Sequence, residues 1–125
     1  MADGRSVLVV DDDPVILKLL EVNFEMEGFE VLTAADGEEG LAVARSSRPD
    51  VIVSDVMMPK MNGLELVAAL KADADTASIP VILLSARAQV SDLRDGSDAG
   101  ADDYITKPFE PLELIERVEA LLPKT

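Results

Sequence analysis

Five times along this chain a short apolar run gives way to a stretch with helical spacing, and that alternation limits what it can fold into. Val7-Leu8-Val9-Val10 and Val51-Ile52-Val53-Ser54 are near-continuous apolar runs rich in β-branched residues, as expected of strands buried on both faces. Ile79 to Leu84 has the same character. Phe29 to Ala34 and Tyr104-Ile105-Thr106 are shorter or more mixed and read as edge strands. Asp13 caps a first helix that begins at Pro14, because a carboxylate suits a helix N-terminus and proline is tolerated at the first helical position. Ile16, Leu19, Leu20 and Phe24 form its apolar stripe, and Gly28 ends it. Asp36-Gly37 reads as a turn before a short helix bearing Leu41, Ala42 and Ala44, which stops by Pro49. A loop with Pro59 and Gly63 leads to a third helix carrying Leu64, Leu66, Val67 and Leu70. A polar helix is expected over Val90 to Asp98, ahead of Gly100. Glu110-Pro111 opens the last helix, with Leu114, Ile115, Val118 and Leu122 on one face.

Strands alternating with helices predict an α/β fold: a parallel sheet with helices on both faces. Right-handed crossovers, with the second and fifth strands at the edges, favour the order 2-1-3-4-5. In that order the winding reverses between strands 1 and 3, and a ligand crevice is expected at their carboxyl ends. Those two strands are the ones that end in aspartates, Asp11-Asp12-Asp13 and Asp55. No linker, repeat or low-complexity segment interrupts the 125 residues, which read as one domain over 1–125.

Composition narrows the chemistry. There are 25 Asp and Glu against 11 Lys and Arg, a net charge of −14, yet 48% of residues are hydrophobic, too many for an acidic disordered tail. The absence of Cys and His excludes disulfides, Cys/His zinc sites, a cysteine nucleophile and a Ser-His-Asp triad. A surface this acidic repels polyanions, so nucleic acid is not expected as a direct partner. Every apolar run is shorter than a membrane span, and no signal-peptide pattern follows Val7 to Val10. A soluble cytoplasmic protein with no membrane partner is expected.

Asp11, Asp12 and Asp55 would converge at the crevice. Two carboxylates about 5 Å apart repel by roughly 3 kcal/mol at an effective dielectric near 20, so three together call for a cation. Oxygen ligands without His or Cys point to Mg²⁺. Alone, Asp11-Asp12-Asp13 would serve equally as a solvated turn and helix cap; Asp55 on the neighbouring strand tips the balance. Ser85 follows the fourth strand and offers a hydroxyl. Lys107 follows the fifth and offers a compact positive charge. Singly these are ordinary turn or surface residues. As a set with a nucleophilic carboxylate they suit a transferring phosphoryl group, and aspartate is a known acceptor.

Four segments carry a resemblance: Val7 to Pro14; Val53 to Gly63, containing Asp55, Met57, Pro59 and Asn62; Pro80 to Ala86; and Gly100 to Phe109, containing Tyr104, Lys107 and Pro108. In this order and spacing, the whole chain resembles a receiver domain of the two-component response-regulator family, single-domain and chemotaxis-regulator-like. The resemblance implies a flavodoxin-like, doubly wound five-stranded sheet. A member of that family is a standard example of the 2-1-3-4-5 order, so the two lines of reasoning are not independent. It also implies roles. Asp55 would accept a phosphoryl group from a phosphohistidine on a histidine kinase or histidine phosphotransfer protein. Asp12, Asp55 and the backbone carbonyl of Met57 would bind Mg²⁺ directly, and Asp11 largely through water. Lys107 would pair with Asp55 before transfer and with a phosphoryl oxygen after it. Ser85 would hydrogen-bond another phosphoryl oxygen and, with Tyr104 changing rotamer, would alter the surface of the polar helix, the fifth strand and the last helix. The Lys107-Pro108 peptide would be cis.

Some positions depart from the family pattern or stay open. Ser85 stands where Thr is commoner, which keeps the hydroxyl and loses the methyl that restricts its rotamer. Met57 and Arg87 would lie near the path of water to the phosphoryl; a thioether cannot orient water as an amide can, so slow self-hydrolysis is expected. Met57 would alternatively be plain packing, and Tyr104 a half-buried aromatic on an edge strand. Leu17, off the main stripe of the first helix, would be a docking contact for the phosphodonor or be covered by the last helix. Asp92, Asp95, Asp98, Asp102 and Asp103 read as a solvated acidic face.

The expected function is therefore a phosphorylation-controlled switch acting on an unidentified output protein, as a monomer or as a phosphorylation-induced homodimer. It would be no enzyme beyond its own phosphorylation and dephosphorylation. Thr125 directly follows the last helix, which suits a stand-alone regulator or a receiver taken from a longer protein. The alternative is a Mg²⁺-dependent phosphatase or phosphotransferase working on a small substrate through an aspartyl phosphate. Such enzymes usually have a second acid two residues after the nucleophile, where this chain has Met57. A nucleotide-binding domain would need a Gly-rich loop where Asp11-Asp12-Asp13 stand. A degenerate receiver would not need Asp12, Asp55 and Lys107 intact.

Overall fold

The computed structural model describes residues 5–58, 60–86, 101–107 and 109–122. The polar helix expected over Val90 to Asp98, with Asp92 and Asp95, and the positions of Pro59, Arg87, Gly100 and Pro108 lie outside the described residues. The elements in chain order are β1 (Ser6–Val10), α1 (Pro14–Met26), β2 (Glu30–Ala34), α2 (Gly37–Ser47), β3 (Val51–Asp55), α3 (Gly63–Ala72), β4 (Val81–Ala86), β5 (Asp103–Lys107) and α4 (Pro111–Leu121). The strands form one five-stranded sheet in the order β2-β1-β3-β4-β5, parallel throughout, with β2 and β5 at the edges as expected.

Alternation along the strands builds two cores. Val7, Val9, Val51, Val53, Ile82, Leu84 and Ile105 face one way, onto Leu20 and Phe24 of α1 and Leu114, Ile115 and Val118 of α4. Leu8, Val10, Ile52, Val81, Leu83 and Tyr104 face the other way, onto Ala44 of α2 and Leu66, Val67 and Leu70 of α3. Each fully buried Leu or Val on these faces contributes about 2 kcal/mol relative to exposure. With both faces covered, the polar groups of this sheet collect at its ends.

Several expectations need correction. β4 begins at Val81, two residues later than expected, because Pro80 has no amide hydrogen for the ladder; its carbonyl instead accepts from Ile52 N–H at 2.9 Å. Ser85 and Lys107 lie within β4 and β5, where Ser85 pairs with Thr106, and do not follow them. Gly37 is the first residue of α2, with Asp36 as its N-cap, and not part of a free turn. Leu19 is 43% exposed and not on the inward stripe of α1. The helical period places Leu17 there in its stead, one turn before Leu20 and two before Phe24. Asp102 and Asp103 are not merely solvated. Asp102 accepts the Val81 amide at 2.8 Å, and Asp103 pairs with Arg117 at 2.7 Å, because the bend into β5 brings them against β4 and α4.

Candidate functional site

β1 and β3 lie side by side and parallel, so whatever follows one carboxyl end sits beside the other. Asp11 and Asp12 follow β1, and Asp55 is the last residue of β3. Their carboxylates each present an oxygen within 4.8 Å of the others. Asp12 is exposed, whereas Asp11 and Asp55 are buried, Asp11 to 1% exposure. Lys107 at the end of β5 reaches in between: its Nζ is 3.0 Å from Asp55 Oδ1 and 3.8 Å from Asp11 Oδ2. Ser85 is buried in β4, one residue beyond the partner of Asp55 in the ladder.

The backbone fixes each carboxylate. The Asp11 amide donates to the Ala34 carbonyl of β2 at 3.1 Å, and Asp11 Oδ1 accepts from Asp13 N–H at 2.9 Å. Asp13 in turn caps α1 by accepting from Val15 N–H at 2.9 Å. Asp55 Oδ1 accepts from Val56 N–H at 2.9 Å, and the Val56 amide is also held by the Leu84 carbonyl at 3.1 Å.

Among the described residues the cluster is short of positive charge, with Lys107 set against three carboxylates. Burial pushes the Asp11 carboxyl above its ordinary range; the Asp13 amide and Lys107 pull it down, while Asp55 and Asp12 push it further up. Asp11 Oδ2 is buried and, among the described residues, accepts no hydrogen bond. A buried carboxylate oxygen left in that state is costly, and a hard cation in the pocket would satisfy it. The donors are all oxygens, three of them carboxylate, which fits Mg²⁺.

Other candidates stand elsewhere. Met57 is 62% exposed, just past β3. Leu17 is half-buried against the α1/α4 core, and Tyr104 is buried in the core of the opposite face, paired with Leu83 across the β4–β5 ladder. Neither belongs to the acidic pocket. Arg87 and the Lys107-Pro108 peptide fall outside the described residues.

Sequence reasoning placed two positions in the fold but gave them no part in the site. Ser54 is buried and its hydroxyl donates to the Asp55 carbonyl at 2.9 Å. Gly63 lies so close behind Asp55 that a Cβ there would stand 2.4 Å from the Asp55 carbonyl oxygen. Its signal was present: a glycine opening a helix, where it is a poor residue, directly after the Asn62 cap.

The response regulator receiver domain family matches residues 7–119. The chain belongs to that family. The receiver domain is 46% identical over 119 residues to the DNA-binding dual master transcriptional regulator RpaA of Synechocystis sp., a match covering 95% of this chain and 49% of that protein. It therefore spans about half the length of the curated relatives it matches. Among solved structures it resembles the chemotaxis response regulator CheY4 of Vibrio cholerae, with a TM-score of 0.87, 36% identity and coverage of 94% and 98% of the two chains. It also resembles the receiver domain of the sensor histidine kinase PA1611 from Pseudomonas aeruginosa, with a TM-score of 0.85, 29% identity and coverage of 94% and 97%. That structure is described with a magnesium ion coordinated in the active site cleft. The five-stranded order and the resemblance thus agree: this is a receiver domain of two-component response regulators.

Proposed function

We propose that Asp55 accepts a phosphoryl group reversibly from a phosphohistidine protein and that the new charge changes which proteins this domain contacts. The observation that carries the reading is Lys107 Nζ at 3.0 Å from a buried Asp55 that shares its pocket with Asp11 and Asp12. Oδ1 of Asp55 is held by Val56 N–H and Lys107, and Oδ2 is the oxygen that attacks phosphorus. The P–N bond breaks as the P–O bond forms, and its electron pair returns to the partner's imidazole. Mg²⁺, held by Asp12, Asp55 and the Met57 carbonyl, with Asp11 through water, would neutralise charge on the phosphoryl oxygens. Lys107 then moves its contact to a phosphoryl oxygen, and the Ser85 hydroxyl donates to another. With no histidine of its own, this chain cannot be the phosphohistidine donor, and that role falls to a histidine kinase or a phosphotransfer protein.

Docking falls on α1. Leu17 is half-buried there, and Val15, 71% exposed, begins an outward apolar row with Leu19 and Val22 that starts two residues from the Asp13 cap. These outward residues line a groove of about 530 Å³ with Pro14, Lys18 and Asn23. On the output side, the pull on Ser85 is transmitted to Tyr104, β5, α4 and the segment expected to be helical over Val90 to Asp98. Arg87 and Met57 slow water attack, and the phosphoryl group persists for longer than seconds. The working compartment is the cytoplasm; among the described residues no helix is long and apolar enough to cross a membrane. The output partner is a protein, or a second copy of this chain.

Incubation with Mg²⁺ and acetyl phosphate, read by intact mass, tests the chemistry. One added phosphate, absent from Asp55→Asn, is expected. Equal labelling of that variant overturns the assignment, and turnover of many small phosphate esters moves the protein to the enzyme reading. Partner capture with and without beryllofluoride tests the switch; an unchanged set of partners overturns it.

A further inference from the structure

The loop that leaves Asp55 is held from an unexpected side. It carries Met57, whose carbonyl the proposed function places on the metal, and it returns to α3 at Asn62, a capping box with Glu65. Lys60, midway, sits at φ 66°, a left-handed conformation that a non-glycine residue keeps only where its surroundings hold it. What holds this stretch is the start of α2. Gly37 is buried, and a Cβ there would fall 2.3 Å from the Met61 carbonyl oxygen and 2.8 Å from Met61 Cβ. The first turn of α2 therefore lies directly on the Met61 peptide. Beside it Asp36 divides its carboxylate: Oδ1 accepts from Glu39 N–H at 2.9 Å, capping α2, and Oδ2 lies 3.7 Å from Lys60 Nζ. Met58 and Met61 pack, half-buried, on the same core that receives α2.

We propose that the start of α2 is a brace for the metal-holding loop, in which Gly37 seats the Met61 peptide and Asp36 tethers Lys60. Both are positioning residues: they touch neither cation nor phosphoryl group, and they keep the Met57 segment in one conformation before the cation arrives. A carbonyl ligand on an unbraced loop would lose conformational freedom on binding, and that loss would be subtracted from affinity. The inference rests on the proposed role of this pocket as a magnesium site.

The test is a Mg²⁺ titration followed by calorimetry, together with the rate of phosphorylation by acetyl phosphate at limiting and saturating Mg²⁺. Gly37→Ala should raise the Mg²⁺ dissociation constant about tenfold, the usual scale for a lost supporting contact. Its rate at saturating Mg²⁺ should stay within about twofold of wild type, because the reacting groups are untouched. A general loss of stability would not produce that split.

Lys60→Met supplies a second reading that survives even if Gly37→Ala does not fold, since Lys60 is 64% exposed. Charge alone predicts that removing a cation from the molecule tightens Mg²⁺. The brace predicts the opposite sign, a weakening of about twofold, the scale of a surface pair. A folded Gly37→Ala with wild-type affinity, or a Lys60→Met that binds more tightly, overturns the brace alone. Wild-type protein that binds no Mg²⁺ overturns the brace and the magnesium reading together.

Discussion

Asp11 is the residue whose chemistry is most constrained. Its carboxyl is buried, one oxygen lacks a hydrogen bond among the described residues, and desolvation raises its pKa. A raised carboxyl means that the fold prefers the protonated form. That contribution to stability is complete below the ordinary aspartate range and is lost as pH rises through the raised value. Asp11→Asn keeps an acceptor for Asp13 N–H and removes the charge, so at neutral pH it should stabilise the metal-free protein by about 1 kcal/mol. Urea unfolding in EDTA measures this, and the gain should shrink as pH falls through the same window. On the proposed role of Asp11 in the magnesium site, protons and Mg²⁺ compete for it, so Mg²⁺ affinity should fall as pH falls through that window in wild type and change less in Asp11→Asn. An affinity with the same pH dependence in both proteins would refute the assignment. Lys107 acts with the opposite sign. It is the ammonium in contact with both buried carboxylates, so Lys107→Met should bind Mg²⁺ more tightly, by about tenfold or less after solvent screening, as a direct titration would show.

At the scale of the element, α1 shows where pattern reading succeeds and where it stops. The Asp13 cap and Pro14 at the first position were legible because both signals are local. Leu20 was read correctly as inward, but the choice between Leu17 and Leu19 was not legible: both are within a turn of Leu20, and only the position of the sheet separates them. Leu20→Ala should cost 2–5 kcal/mol, as fully buried leucines do, and Leu19→Ala under about 1 kcal/mol in the same denaturant series. The outward row makes a different claim. Val15→Asp and Leu19→Asp should slow phosphotransfer from a phosphohistidine protein at least about tenfold, a loss of about 1.4 kcal/mol. Labelling by acetyl phosphate should be unaffected. Variants that keep the wild-type rate with both donors would remove α1 from the docking surface.

Over the whole molecule, the strand order was legible because right-handed crossovers leave few alternatives, and the site followed from two aspartate-terminated strands meeting where the winding reverses. Contacts between remote surfaces were not legible. Gly37 against Met61 joins segments 24 residues apart, and Lys71, donating to the carbonyls of Ala77 and Ile79, lies 3.7 Å from Asp102 on the far side of β4. Neither pairing has a spacing that a pattern can register. Net charge was legible at once, and it separates two effects that both raise stability. A chain at −14 repels itself, so any salt relieves part of that repulsion. A specific site adds stability by mass action, about 1.4 kcal/mol at ten times the dissociation constant. For a domain of this size that is about 5 °C in Tm. Mg²⁺ should therefore raise Tm by about 5 °C beyond NaCl at equal ionic strength. Asp12→Asn should keep the salt response and lose the increment, since Asp12 is the exposed member of the triad and contributes little to packing. If magnesium and sodium chloride at matched ionic strength raise Tm equally in wild type, the three carboxylates are a charged patch and not a binding site.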